Sequence, residues 1–139
     1  MPYDERFITP MRQELTRIGV QELRTAAEVD QVLAGASEPT LLVVNSMCGC
    51  AARNARPAIA MSLQASDKKP ALMTTVFAGQ DLEATARARE FITGYPPSSP
   101  SIALLKDGDV AFMLERHQIE GRTADAIAQD LVNAFQEYC

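Results

Sequence analysis

The feature that most constrains this fold is an unbroken apolar run, Thr40-Leu41-Leu42-Val43-Val44-Asn45, which passes directly into Ser46-Met47-Cys48-Gly49-Cys50. A run without polar alternation and with β-branched side chains suits a strand covered on both faces, as in a parallel sheet. Behind the cysteines, residues 51–65 favour helix, so this stretch reads as buried strand, tight turn, helix. Residues 72–77 read as another buried strand. Strands buried on both faces need helices on both sides, which points to the α/β class.

The flanking segments complete that picture. Met11, Leu15 and Ile18 fall at helical spacing, predicting an extra N-terminal helix over residues 10–18 that Gly19 ends. A short strand is expected over 20–23 and a helix over 25–33, with Thr25 as N-cap. Pro57 lies inside the helix after the cysteines and is expected to kink it. A further helix is expected over 81–92, with Asp81 near its N-cap. The loop Tyr95-Pro96-Pro97-Ser98-Ser99-Pro100 leads into a strand over 101–105. Asp107-Gly108 marks a hairpin turn, the returning strand covers 110–115, and a closing helix spans 123–138. In that helix Ile127, Leu131, Val132 and Phe135 keep core spacing. The order predicts one domain over 1–139, a central mixed sheet with helices on both faces.

Composition narrows the function. A net charge of −5 argues against a nucleic-acid partner, because a phosphate backbone demands a basic face. No apolar run approaches a bilayer span, and the first residues lack the pattern of a signal peptide, so a cytoplasmic protein without a membrane partner is expected. No Gly-x-Ser-x-Gly elbow or Gly-rich phosphate loop is present. Asp81, Glu83 and Glu90 read as helix caps and solvated faces.

The chain has 3 cysteines, an odd number and a poor disulfide framework in a reducing compartment. Cys48 and Cys50 stand where a buried strand meets a helix. The free N–H groups of a first helical turn stabilise an adjacent thiolate, and Arg53 and Arg56 in the next turns are expected to add to that field. Cys48, nearer the open end, is the candidate nucleophile, and Cys50 the resolving thiol. Closing a disulfide across Gly49 alone strains the ring, which predicts a pair less reducing than Cys-x-x-Cys. The alternatives are metal binding, for which the chain offers only Cys139 and His117 beyond the pair, and inert buried cysteines.

The segment Ser99-Pro100-Ser101-Ile102-Ala103-Leu104-Leu105-Lys106-Asp107-Gly108 resembles the proline-led strand and turn of thioredoxins. That resemblance implies a thioredoxin-like fold, a cis Pro100 facing the cysteines, and a substrate groove beside Ser99 and Pro100. A closer resemblance spans nearly the whole chain. Val44-Asn45-Ser46-Met47-Cys48-Gly49-Cys50-Ala51, Asn54-Ala55-Arg56-Pro57, Val76-Phe77-Ala78-Gly79-Gln80-Asp81, the proline loop, Glu115-Arg116-His117-Gln118-Ile119-Glu120-Gly121 and Tyr138-Cys139 look like the YphP/YqiW family, the bacilliredoxins.

This resemblance implies reduction of mixed disulfides between client proteins and bacillithiol, with bacillithiol as a co-substrate and no resident cofactor. Disulfide isomerase activity is the alternative within the class, and a Cys-x-Cys metal-binding module the alternative outside it. A monomer or weak homodimer is expected. Gly49, Ser99, Pro100, Arg56, Arg116 and His117 are the expected supporting residues. Arg116 and His117 are expected to end the last strand beside the cysteines, placed to stabilise a thiolate or to bind carboxylates of the small thiol. Cys139, on a helix end expected to fray, is a possible auxiliary thiol. Two departures from the related patterns stand out. Leu42 occupies the position of thioredoxin's buried aspartate, and Arg53 replaces a small residue and is expected to point to solvent.

Overall fold

The computed structural model describes residues 3–139. The first helix, α1 (Glu5–Thr16), is capped by the Asp4 side chain accepting from the Arg6 N–H. It starts earlier than predicted because Asp4 is the cap and Pro10 is carried inside the helix. After it come β1 (Gln21–Glu22), α2 (Ala26–Leu33) capped by Thr25, and β2 (Thr40–Asn45). The cysteine turn opens a helix that runs through a π turn (Ala51–Ala55) into α3 (Arg56–Ala65). Then follow β3 (Leu72–Phe77), α4 (Leu82–Arg89), β4 (Ser101–Lys106), β5 (Asp109–Leu114), the one-turn α5 (Arg116–Ile119) and α6 (Ala124–Tyr138). The hairpin between β4 and β5 has positive φ at both Asp107 (53°) and Gly108 (82°), the pattern that matches strand twist in a two-residue turn.

The five strands run in the order β1-β3-β2-β4-β5. β3 is parallel to both β1 and β2, while β2–β4 and β4–β5 are antiparallel. This is the expected mixed α/β sheet of a thioredoxin-like fold. Successive side chains of a strand point to opposite faces. Leu41 and Val43 therefore pack with Ile102, Leu104 and the α3/α6 layer, while Leu42 and Val44 pack with Val76, Ala103 and the α2/α4 layer. Both sets are buried, as the unbroken apolar run requires. Fully burying one such side chain is worth about 1.5–3 kcal/mol, so the central strand is a rigid platform for whatever stands at its C-terminal end.

Pro57 acts differently from the expected mid-helix kink. It lacks the N–H that would bond the Arg53 carbonyl. The chain widens just before it, and the Arg56 N–H reaches back to the Ala51 carbonyl to close the π turn. Pro57 then lies in the first turn of α3, where no N–H is needed. In a regular helix, Arg53 and Arg56 would share a face. The wider turn separates them, leaving Arg53 exposed and Arg56 buried.

Candidate active site

β2 ends at Asn45, and the turn through Ser46 and Met47 sets Cys48 at the mouth of the next helix. The Cys48 carbonyl accepts from the Ala51 and Ala52 N–H groups, each at 3.1 Å. The Ser46 hydroxyl donates to the Cys48 sulfur at 3.2 Å, and the Cys50 sulfur lies 2.8 Å away. Backbone N–H groups of Ala51 and Cys50 point at the same sulfur. Partial burial pushes the Cys48 thiol up, but the hydrogen bonds from Cys50, Ser46 and those N–H groups outweigh it, leaving Cys48 below its ordinary value. Cys50 goes the other way. Burial raises it first, the hydrogen bond and negative charge of Cys48 add to this, and the Arg116 charge offsets only part. Cys48 is therefore the readier of the two thiols to ionise, and Cys50 the readier to keep its proton.

The turn is fixed from beneath by Arg56, only 3% exposed. Its Nη1 donates to the Ser46 carbonyl at 2.8 Å and to Asn45 Oδ1 at 3.0 Å. Asn45 Oδ1 also accepts from the Ser46 N–H at 2.9 Å, so the amide orientation is dictated by donors on both sides. Asn45 Nδ2 then has no partner among the described residues. Arg56 Nε lies 3.1 Å from Glu14 Oε1, at ion-pair distance but without hydrogen-bond alignment.

The proline loop faces the pair from β4, and its Ser99-Pro100 peptide is cis, as the thioredoxin resemblance implies. Arg116 ties this loop down: Nη1 donates to the Ser99 carbonyl at 3.0 Å, and its backbone N–H donates to the Ser98 hydroxyl at 3.3 Å. Its Nε pairs with Glu120 at 3.3 Å. Glu120 first, and then the sulfurs of Cys50 and Cys48, raise the basicity of Arg116. A groove of about 260 Å³ opens over Cys48, walled by Tyr3, Met47, Ala78, Gly79, Ser99 and Arg116. A second cleft of about 300 Å³ opens beside Cys50, walled by Gly49, Arg53, Asn54, Arg116, Glu120 and Gly121.

The disulphide isomerase family matches residues 3–139. A bacilliredoxin of Salinibacter ruber is 57% identical over 140 residues, which cover 100% of this chain and 82% of that relative. A bacilliredoxin of Koribacter versatilis is 53% identical over 137 residues, covering 99% and 94%. One of Bacillus licheniformis is 49% identical over 137 residues, covering 99% and 95%. The chain belongs to the bacilliredoxin family. Thiol–disulfide redox chemistry is accordingly its function, in keeping with the unequal thiols of Cys48 and Cys50.

In this bacilliredoxin fold, Ser99 and Arg116 wall the groove over Cys48, Gly49 and Cys50 line the neighbouring cleft, and the Ser99-Pro100 peptide is cis. Several other expectations need correction. Arg56 makes no hydrogen bond to either sulfur, because its guanidinium donates to Asn45 and Ser46 beneath the turn. Arg116 and His117 do not end β5. The strand stops at Leu114, Glu115 caps a one-turn helix, and His117 lies exposed on it. Arg53, although exposed, folds back over the motif: a Cβ built on Gly49 would meet its Nη2 at 2.7 Å. Asp81 stands at the N-cap of α4 as expected, but its side chain makes no capping bond there and is taken by Arg12 at 2.6 Å.

Cys139 is half-buried against the α3/α6 core, with its helix intact to Tyr138. Burial raises its thiol, and the nearby charges of Lys106 and Lys68 offset this in part. Lys106 ends β4 at the edge opposite Ser101, so Cys139 sits at the far end of the sheet from the pair and is not brought to it. Leu42 is fully buried in the apolar α2/α4 layer, so no acid lies beneath the cysteines at that position. For metal binding the pair stands short of ligands: among the described residues, no group of three or more His, Cys, Asp or Glu is placed to hold an ion. No helix among them is long and apolar enough to cross a membrane.

Sequence reasoning missed two contributors. Ser46 stands in no catalytic motif, yet its place two residues before Cys48 is where an ST turn hydroxyl reaches the sulfur. Tyr3 carried no local signal, because only the packing of α1 brings it to the groove.

Proposed function

We propose that this chain reduces mixed disulfides between client protein cysteines and bacillithiol, with Cys48 as nucleophile and Cys50 as resolving thiol. The observation that carries the reading is the asymmetry of two sulfurs 2.8 Å apart, one lowered and the other raised. The Cys48 thiolate attacks the bacillithiol sulfur, forming Cys48–S–S–bacillithiol and expelling the client thiolate, which takes up a proton. Cys50, on losing its proton, attacks the Cys48 sulfur, closing the Cys48–Cys50 disulfide and releasing bacillithiol. Alternatively a second bacillithiol attacks the adduct, leaving oxidised bacillithiol and the free Cys48 thiol. Bacillithiol is a co-substrate in both routes, and the compartment is the reducing cytoplasm. The groove over Cys48, with Tyr3 and Met47 exposed along it, suits a protein client.

The test is to incubate a bacillithiolated model protein with the intact chain, Cys48→Ala and Cys50→Ala, and to weigh the products by mass spectrometry. The intact chain is expected to free the client, Cys50→Ala to hold a bacillithiol adduct on Cys48, and Cys48→Ala to do neither. A client left modified while a scrambled-disulfide substrate is repaired would replace this reading with the isomerase one that the family description suggests.

A further inference from the structure

The cleft beside Cys50 has a chemical character that the groove over Cys48 lacks. Its walls carry the guanidinium groups of Arg53 and Arg116 in a chain whose net charge is −5. Arg116 is partly neutralised by Glu120 at 3.3 Å. Arg56 is committed to Glu14 and Arg122 to Asp130, but Arg53 forms no ion pair or side-chain hydrogen bond among the described residues. Although exposed, it folds back over the motif. Its guanidinium lies against the backbone of Gly49, in space that the Cβ of any other residue would fill, at 2.7 Å from Nη2. The gap in the middle of the motif thus seats an exposed guanidinium with no protein acceptor among the described residues.

We infer that this cleft is the subsite for the anionic arm of the small thiol, with Arg53 and Arg116 receiving its carboxylates, and that Arg53 is a specificity-determining residue. The inference rests on the exchange chemistry proposed above and adds the side of the motif on which the small thiol lies. Gly49 separates the two cysteines, so a thiol bonded to the Cys48 sulfur can lay its arm across Gly49 to the Arg53 fork. Guanidinium groups pair carboxylates with two parallel hydrogen bonds, which a lysine cannot reproduce. The protein client keeps the opposite groove, where Tyr3, Met47 and Ala78 offer apolar surface. The client thiolate then leaves in line with the Cys48 sulfur across the sulfur of the small thiol, while the anionic arm lies to the side over Gly49.

The experiment compares two thiols on the oxidised, disulfide-bonded chain: mercaptosuccinate, which carries carboxylates, and 1-thioglycerol, which does not. Each reduces the pair by the same balance. One thiolate opens the Cys48–Cys50 bond to give a mixed disulfide, and a second thiol releases the dithiol chain and its own disulfide. Rates, expressed per thiolate, are read by acid quench, alkylation and mass spectrometry. In the intact chain the mercaptosuccinate-to-thioglycerol ratio is expected to exceed that for Arg53→Gln about tenfold, or about 1.4 kcal/mol. Arg53→Lys should recover part of the ratio, and raising the salt should erode it in the intact chain. A ratio unchanged in Arg53→Gln, with both thiols still reducing the pair, overturns the subsite and leaves the exchange reading standing. Failure of both thiols to reduce the intact chain overturns the exchange reading and the subsite with it.

Discussion

Two arginines, Arg12 and Arg56, are buried at 4% and 3% exposure, and they differ in what neutralises them. Arg12 is enclosed by carboxylates: Glu5 at 2.6 Å, Glu22 at 2.8 Å and Asp81 at 2.6 Å, with the Phe77 ring 5.4 Å beneath. These partners come from α1, β1 and the start of α4, so one guanidinium clamps the N-terminal helix to the sheet edge. Arg56 has a single carboxylate, the half-exposed Glu14, and directs its donors at an amide oxygen and a carbonyl of the cysteine turn. The same side chain serves cohesion at one site and alignment at the other. What decides is whether its acceptors are charges from distant elements or the backbone of a reactive turn.

Replacing each arginine by methionine separates the two roles. Arg12→Met strands Glu22 and Asp81, whose side chains are only 13% and 10% exposed. Breaking a buried pair from one side costs about 3–5 kcal/mol. A large fall in the urea midpoint is expected, with reactivity per folded molecule retained. Arg56→Met leaves the Ser46 carbonyl and half of the Asn45 amide short of a donor, costing about 1–3 kcal/mol. It should also loosen Ser46 and raise the pH midpoint for alkylation of Cys48, which Arg12→Met should not move. If Arg12→Met shifts that midpoint and Arg56→Met does not, the division of roles is reversed.

The same contrast explains how much was legible in the sequence. β2, β3 and the Asp107-Gly108 turn lie where periodicity and turn chemistry put them, because their signals are local. The cysteine pair was legible for the same reason: strand, thiols and helix are contiguous. Arg12 was not singled out, since its meaning depends on Glu22 and Asp81 arriving from other elements. Arg56 was noticed but given the wrong neighbour. Regular helical spacing would put it beside Arg53 near the thiols, and the π turn before Pro57 rotates it inward. Tyr3 depends on packing at the groove, which no window of sequence contains.

A smaller effect sharpens the alignment side of the comparison. The Ser46 hydroxyl donates to the Cys48 sulfur at 3.2 Å, and Arg56 holds the same residue by its carbonyl. A hydrogen bond to a charged partner is worth about 1.5–3 kcal/mol. The groove is open to water, so the lower end applies, and about 1.36 kcal/mol corresponds to one pH unit. Ser46→Ala is expected to raise the alkylation midpoint of Cys48 by about one pH unit while leaving the urea midpoint nearly unchanged. A shift in stability without one in alkylation would make Ser46 a turn residue only.

The smallest effect belongs to the clamp and appears in acid. The hydrogen bond from Arg12 is the main reason that Glu5 is held below its ordinary value, with Gln80 and the charges of Arg12 and Arg24 contributing and partial burial opposing. Unfolded, Glu5 takes up its proton at a higher pH than it does folded. Its contribution is therefore complete above the ordinary carboxylate range and is lost as pH falls through the lowered folded value. Glu5 is 41% exposed, so solvent screens much of this. Urea midpoints between about pH 6 and pH 3 should fall more steeply for the intact chain than for Arg12→Met, which has already lost the group that lowers Glu5. Arg56→Met should keep the steep acid slope, because its guanidinium does not touch Glu5. Equal slopes in the intact chain and Arg12→Met would mean that Arg12 does not bias the Glu5 proton, and the clamp would then rest on packing over Phe77.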